Sequence, residues 1–162
     1  MKKIPYLVIY SLLLTSWGFA SGQIDIAFSG YTITQPGSYI VVADLHATTN
    51  QNAITITTNN VNIDLNGHTL YGAGTAVGSS GRGIYASSQI NITVSNGVVR
   101  DFRDDGISFG GRNIRVAKVS AIRNWDMGIY IGHGTIQDCI AEGNGGYGIF
   151  VGNGSVIAGN SS

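Results

Sequence analysis

Asp104 and Asp126 each stand two residues before a Gly-Ile pair, and Asp105 adjoins the first of them. If those pairs open successive turns of one repeat, the two carboxylates lie about 5 Å apart, the spacing of neighbouring strands. Carboxylates that close can chelate Ca²⁺ or share a proton as an acid/base pair. Asp104 and Asp126 are therefore the candidate cation ligands, and Asp104, Asp105 and Asp126 the candidate catalytic acids. Basic residues gather in the same stretch: apart from Lys2 and Lys3, every Lys and Arg falls between Arg82 and Arg123. Arg103 and Arg112 among them can grip the carboxylates of an acidic polymer. The competing reading is a set of turn charges that neutralise one another in solvent. His133, set between Gly132 and Gly134, is a further catalytic candidate. His46, His68 and His133 lack the spacing of a metal site. Finally, Tyr85, Ser108, Tyr130 and Phe150 each follow a Gly-Ile pair directly. On one outer column they would span about 14 Å. Tyr85, Tyr130 and Phe150 would then offer stacking surface to sugar rings, or else stiffen the sheet by cross-strand pairing.

These side chains need a scaffold that brings them to equivalent places. Gly-Ile occurs at residues 83–84, 106–107, 128–129 and 148–149, at intervals of 23, 22 and 20 residues, which is a repeat period. Each pair opens a short alternating strand, with Ile84, Ile107, Ile129 and Ile149 on the inner side. A second strand follows in each unit, through Ile90, Ile92 and Val94, then Ile114 and Val116, then Ile136, then Val156. A third segment carries Val99, Ala121 and Ala141, each seven residues before its Gly, and Asn124 and Asn144 stand four before theirs. Three strands in about 22 residues leave no room for a helix, so the repeat predicts a coil of strands stacked at about 4.8 Å. One coil cannot bury its own apolar face; stacking closes the backbone hydrogen bonds and piles the isoleucines into an interior ladder. Gly and Asn take the tight, often left-handed corners, and stacked Asn side chains can pair their amides.

The chain before the repeats is less regular. Residues 1–20 read as a secretory leader: Lys2 and Lys3, an apolar run from Ile4 to Leu14, then Gly18 and Ala20 as small residues at a cleavage site. This predicts a secreted or periplasmic protein, with no membrane attachment once the leader is removed. Residues 21–52 read as N-terminal strands and cap, with Tyr31–Thr34 and Tyr39–Val42 as a strand pair about a Gln35–Ser38 turn. Residues 53–162 read as the rungs, with 73–82 as a loop. The mature part has seven basic and nine acidic side chains, and that balance lacks the basic excess of nucleic-acid binders. A single Cys139 cannot form an internal disulfide and reads as a small buried residue.

On the Gly-Ile repeats, the segment from Val61 to Leu70 and the unit from Asp138 to Ile149, the chain resembles the right-handed parallel β-helix proteins of the pectin-lyase-like superfamily. The resemblance covers about residues 30–162. It implies an all-β, single-stranded right-handed parallel β-helix of about 20–23 residues per rung. The chain also stops in what matches mid-rung, at Gly154–Ser162, so a truncated C-terminal end is expected. Most members with assigned roles act on or bind polysaccharide. Members that cleave polyuronates use Asp-bound Ca²⁺ with an Arg base. Polygalacturonases are similar at Gly132-His133-Gly134, but here Asp104-Asp105 and Asn124-Trp125-Asp126 come in reversed order and Arg-Ile-Lys is missing. Asn153 in Gly-Asn-Gly also falls at the place of His133 one rung on.

Two readings stay open. The first is a non-catalytic exported module that binds or displays a surface for polysaccharide, with no cofactor. The second is a carbohydrate-active enzyme, a polyuronate lyase or a hydrolase, with Ca²⁺ as the one ion its acids would call for. Oligomeric state is not legible.

Overall fold

The computed structural model describes residues 22–74 and 80–161. The proposed leader, its boundary included, and the centre of the 73–82 loop lie outside the described residues. Sixteen strands follow one another: β1 (Gln23–Ile26), β2 (Tyr31–Ile33), β3 (Gly37–Val41), β4 (Leu45–His46), β5 (Ile54–Ile56), β6 (Val61–Asp64), β7 (Thr69–Tyr71), β8 (Ile84–Ala86), β9 (Ile92–Arg100), β10 (Ile107–Phe109), β11 (Ile114–Ile122), β12 (Ile129–Ile131), β13 (Gly134–Gln137), β14 (Ile140–Glu142), β15 (Ile149–Val151) and β16 (Val156–Ala158). Every pairing is parallel and joins strands about one coil apart in sequence. One sheet runs β2-β5-β8-β10-β12-β15. The other runs β1-β3-β6-β9-β11-β13-β16, with β4, β7 and β14 extending it along the second halves of β9 and β11. The result is a parallel β-solenoid of three faces, with no helix among the described residues.

The expected interior ladder is present. Ile54, Ile84, Ile107, Ile129 and Ile149 are Cα partners up one sheet, and the first four are fully buried. Taking each of these isoleucines out of water stabilises the fold by about 2 kcal/mol. Val61, Ile92 and Ile114, then Ile63, Val94, Val116 and Ile136, fill the second inner column pair. Leu70, Val99, Ala121 and Ala141 fill the third. Cys139 is 1% exposed, and burial pushes its thiol up from the ordinary range, as a small core residue should behave.

Four details differ from the expectation. Residues 31–33 and 37–41 do not pair with each other: β2 lies in one sheet beside β5, and β3 lies in the other between β1 and β6. The turn between them is therefore a corner of the coil and not a hairpin. The second and third segments of two coils are continuous, as the nine-residue strands β9 and β11, bent where Asn96 and Lys118 adopt φ of 61° and 54°. Left-handed corners also take Asp101, Arg123 and Asp138, so the corners are not confined to Gly and Asn. Ile157, and not Val156, continues the Val116–Ile136 column, because Val156 pairs with Thr135.

Asparagine amides do stack from coil to coil. Asn113 Nδ2 donates to Asn91 Oδ1 at 3.1 Å, and Asn91 Nδ2 to Asn60 Oδ1 at 2.8 Å. Asn124, 1% exposed, donates through Nδ2 to Asn144 Oδ1 at 3.0 Å and to Val99 O, and accepts from the Phe102 N–H at 3.1 Å. Satisfying every polar atom makes such a buried amide tolerable.

Candidate functional site

The candidate residues gather around one face, that of β8, β10, β12 and β15, and the two corners beside it. Tyr85, Ser108, Tyr130 and Phe150 are Cα partners in succession on its outer side. The column is not a uniform aromatic row, however. Ser108 is buried, at 7% exposure, so Tyr85 is set apart from the upper rings. Tyr85 instead lies under the Arg82 guanidinium, 4.9 Å from its ring centroid. The upper rings cluster: Tyr130 and Phe150 centroids are 5.8 Å apart, and Tyr147 joins Phe150 at 5.5 Å. Such tilted pairs add to ring burial, yet Phe150 remains 41% and Tyr147 65% exposed.

Tyr147 is a member of the cluster that the sequence reading does not single out. It immediately precedes Gly148-Ile149, where Arg82, Asp105 and Met127 precede their own Gly-Ile pairs. Those four residues form the neighbouring column, because the N–H of each Gly donates to the carbonyl of the next column member. The position is therefore visible in the repeat.

The corner entering this face holds Arg103, Asp104, Asp105 and Asp126. Asp126 does sit on Asp104: its N–H donates to Asp104 O at 3.4 Å. Asp105 has a different job. At 7% exposure it accepts from Arg82 Nε at 3.3 Å and from the Met127 N–H at 3.2 Å, tying three coils together. Arg103 lays its guanidinium 3.7 Å from the centroid of Trp125, which is 53% exposed. Trp125 is likewise not marked out by sequence, although it follows the buried Asn124. Among the described residues no three His, Cys, Asp or Glu groups converge as a metal site requires.

The corner leaving the face brings Arg112 and His133 together. With Ser88, Ile90, Gly110 and Gly111 they line an open cleft of about 270 Å³. The cleft exists because the corner changes length: 87–91 spans five residues, 110–113 four and 132–133 two. The short connection at His133 leaves a notch above the longer ones. Gly132 permits the contraction, since a Cβ there would meet Gly111 O at 2.5 Å and Gly110 O at 2.6 Å. His133 Nδ1 lies 2.7 Å from Asn153 O, an acceptor only, so Nδ1 carries the hydrogen and Nε2 is left toward solvent. Asn153 does stack on His133, as the Gly-His-Gly and Gly-Asn-Gly match implied.

The basic residues share coils but not a face. Arg115 lies on β11, in register with Thr93 and Thr135. Arg100 and Arg123 converge on Asp101, at 2.8 and 3.0 Å. Arg82 is taken by Asp105. Arg112 and Arg103 stand at the two corners beside the aromatic face, while Arg82 also covers Tyr85 on it.

Parallel strands stacked coil on coil, with buried columns inside and chemistry on the outer columns, define a β-helix repeat protein. The model of the right-handed β-helix region matches residues 33–162, and the protein belongs to that family. Neither a search of curated proteins nor one of solved structures gave a match.

Proposed function

We propose that this protein is an exported, non-catalytic β-helix module that holds polysaccharide along the β8–β15 face. The carrying observation is the ring cluster of Tyr130, Phe150 and Tyr147, with centroid spacings of 5.8 and 5.5 Å and two of the rings largely open. The flat apolar faces of these rings suit the faces of sugars, and the Tyr130 and Tyr147 hydroxyls add a polar handle. Arg112 and His133 on one side, and Arg103 over Trp125 on the other, supply donors for hydroxyl or carboxylate groups. The leader-like residues 1–20 support export. Retention on immobilised neutral and acidic polysaccharides tests the reading. Two rings at about 1 kcal/mol each make the Tyr130→Ala, Phe150→Ala variant weaker by a factor of about 30. Unchanged retention in that variant, or none in the parent protein, would sink it.

A second reading, a polyuronate lyase or hydrolase, draws on the stacking of Asp126 upon Asp104. Product released from polygalacturonate or alginate, dependent on Ca²⁺ and abolished by Asp126→Ala, would favour it over simple binding.

A further inference from the structure

Four Asn-Gly pairs occur among the described residues, at 66–67, 96–97, 144–145 and 153–154. An Asn-Gly pair can modify itself. The glycine nitrogen attacks the amide carbon at the end of the asparagine side chain, and a new N–C bond forms. The bond from that carbon to the amide nitrogen breaks. Ammonia leaves with the proton lost from the glycine nitrogen. Water then opens the cyclic imide at either carbonyl, giving aspartate or isoaspartate. The reaction needs a glycine N–H that is not already engaged, an asparagine amide free to swing onto it, and a backbone able to adjust.

Three of the four pairs fail those conditions. The Gly67 N–H donates to Asn96 O at 2.7 Å, and Asn66 Nδ2 to Val41 O. Gly97 lies within β9, in register with Val119, and Asn96 Nδ2 donates to Asp64 Oδ1 at 3.2 Å. The Gly145 N–H donates to Asn124 O at 2.9 Å, and the Asn144 amide is held at both ends by the ladder.

Asn153-Gly154 is different for a reason built into the repeat. Gly132 and Gly152 stack, and Thr135 pairs with Val156, so the last coil has one residue more than the coil below it. The surplus residue is Gly154, which has no counterpart in the coil below. It is exposed, adopts φ of 76°, and has open space on its Cβ side. Among the described residues neither its N–H nor the exposed Asn153 side chain has a hydrogen-bond partner. We infer that Asn153 is a self-modification site of this protein, converting to aspartate and isoaspartate through an imide with Gly154 while the other three pairs stay intact. The conversion sets a new carboxylate beside His133, on the rim of the Arg112 cleft.

The test is peptide mapping by mass spectrometry of the whole purified protein, held in warm, mildly alkaline buffer with and without denaturant. In native protein, Asn153 should convert severalfold faster than any of the other three, with isoaspartate among the products. In denaturant all four should convert at comparable rates. Asn153→Gln should abolish the native conversion, and its circular dichroism and unfolding midpoint should match the parent. Native conversion of Asn66, Asn96 or Asn144 as fast as Asn153, or an Asn153 that reacts only in denaturant, would overturn the assignment.

Discussion

The corner entering the β8–β15 face holds six residues in each of the last three coils, at 101–106, 123–128 and 143–148, whereas the corner leaving it runs through five, four, two and then three before the level of Gly134. Equal length places equal residues above one another, so Phe102, Asn124 and Asn144 can share a run of hydrogen bonds. Unequal length breaks that column and leaves space, which Arg112 and His133 line. The difference teaches where a solenoid keeps its stability and where it can place variable chemistry: repetition makes ladders, and departures from repetition make clefts.

The largest expected effect breaks the ladder. Asn124→Ala takes the side-chain partner from the Phe102 N–H and the Val99 carbonyl, and removes one of the two donors to Asn144 Oδ1, which keeps the Asn124 N–H. Its cost in urea unfolding should be about 3 kcal/mol. A loss below about 1 kcal/mol would mean that equal corner length stems from something other than the amides. The next contrast is an inserted residue. One glycine added after His133 should cost less than about 1 kcal/mol, since that corner already varies in length. The same insertion after Trp125 displaces the ladder and should cost several times more, again by urea unfolding.

Asp44 sharpens the picture from a third corner. Its carboxyl is held below the usual range first by the Thr69 N–H, at 2.9 Å, and then by His68 at 3.2 Å. A depressed folded value means that the contribution is whole above the ordinary carboxylate pKa and fades as pH falls through the folded one. Stability followed by denaturant midpoint in acid should therefore depend less on pH in Asp44→Asn than in the parent. The smallest effect is expected at the cleft. Arg112→Ala and His133→Ala should shift stability by no more than about 0.5 kcal/mol while weakening retention of acidic polysaccharide. A large destabilisation there would erase the distinction between the corners.

Much of the scaffold was readable without coordinates, because a solenoid is nearly one-dimensional. Once the Gly-Ile interval is known, Ile84, Ile107, Ile129 and Ile149 must share a column, and so must Tyr85, Ser108, Tyr130 and Phe150. The same arithmetic put Asp104 beneath Asp126. It failed at Val156, where the extra Gly154 moves the count by one, and at residues 31–42, where two strands adjacent in sequence belong to different sheets. It also missed Trp125 and Tyr147, whose exposure depends on their place at a corner.

By itself, the sequence determined which residues stand above one another, since parallel stacking bonds each coil only to its neighbours and the repeat interval counts them. Only the tertiary structure decided what lies beside what around the coil. That depends on the angles taken at each corner and on how many residues each corner spends. It is why Asp105 ends buried between Arg82 and Met127, why the seven basic residues scatter over several faces, and why Arg112 meets His133 across a notch.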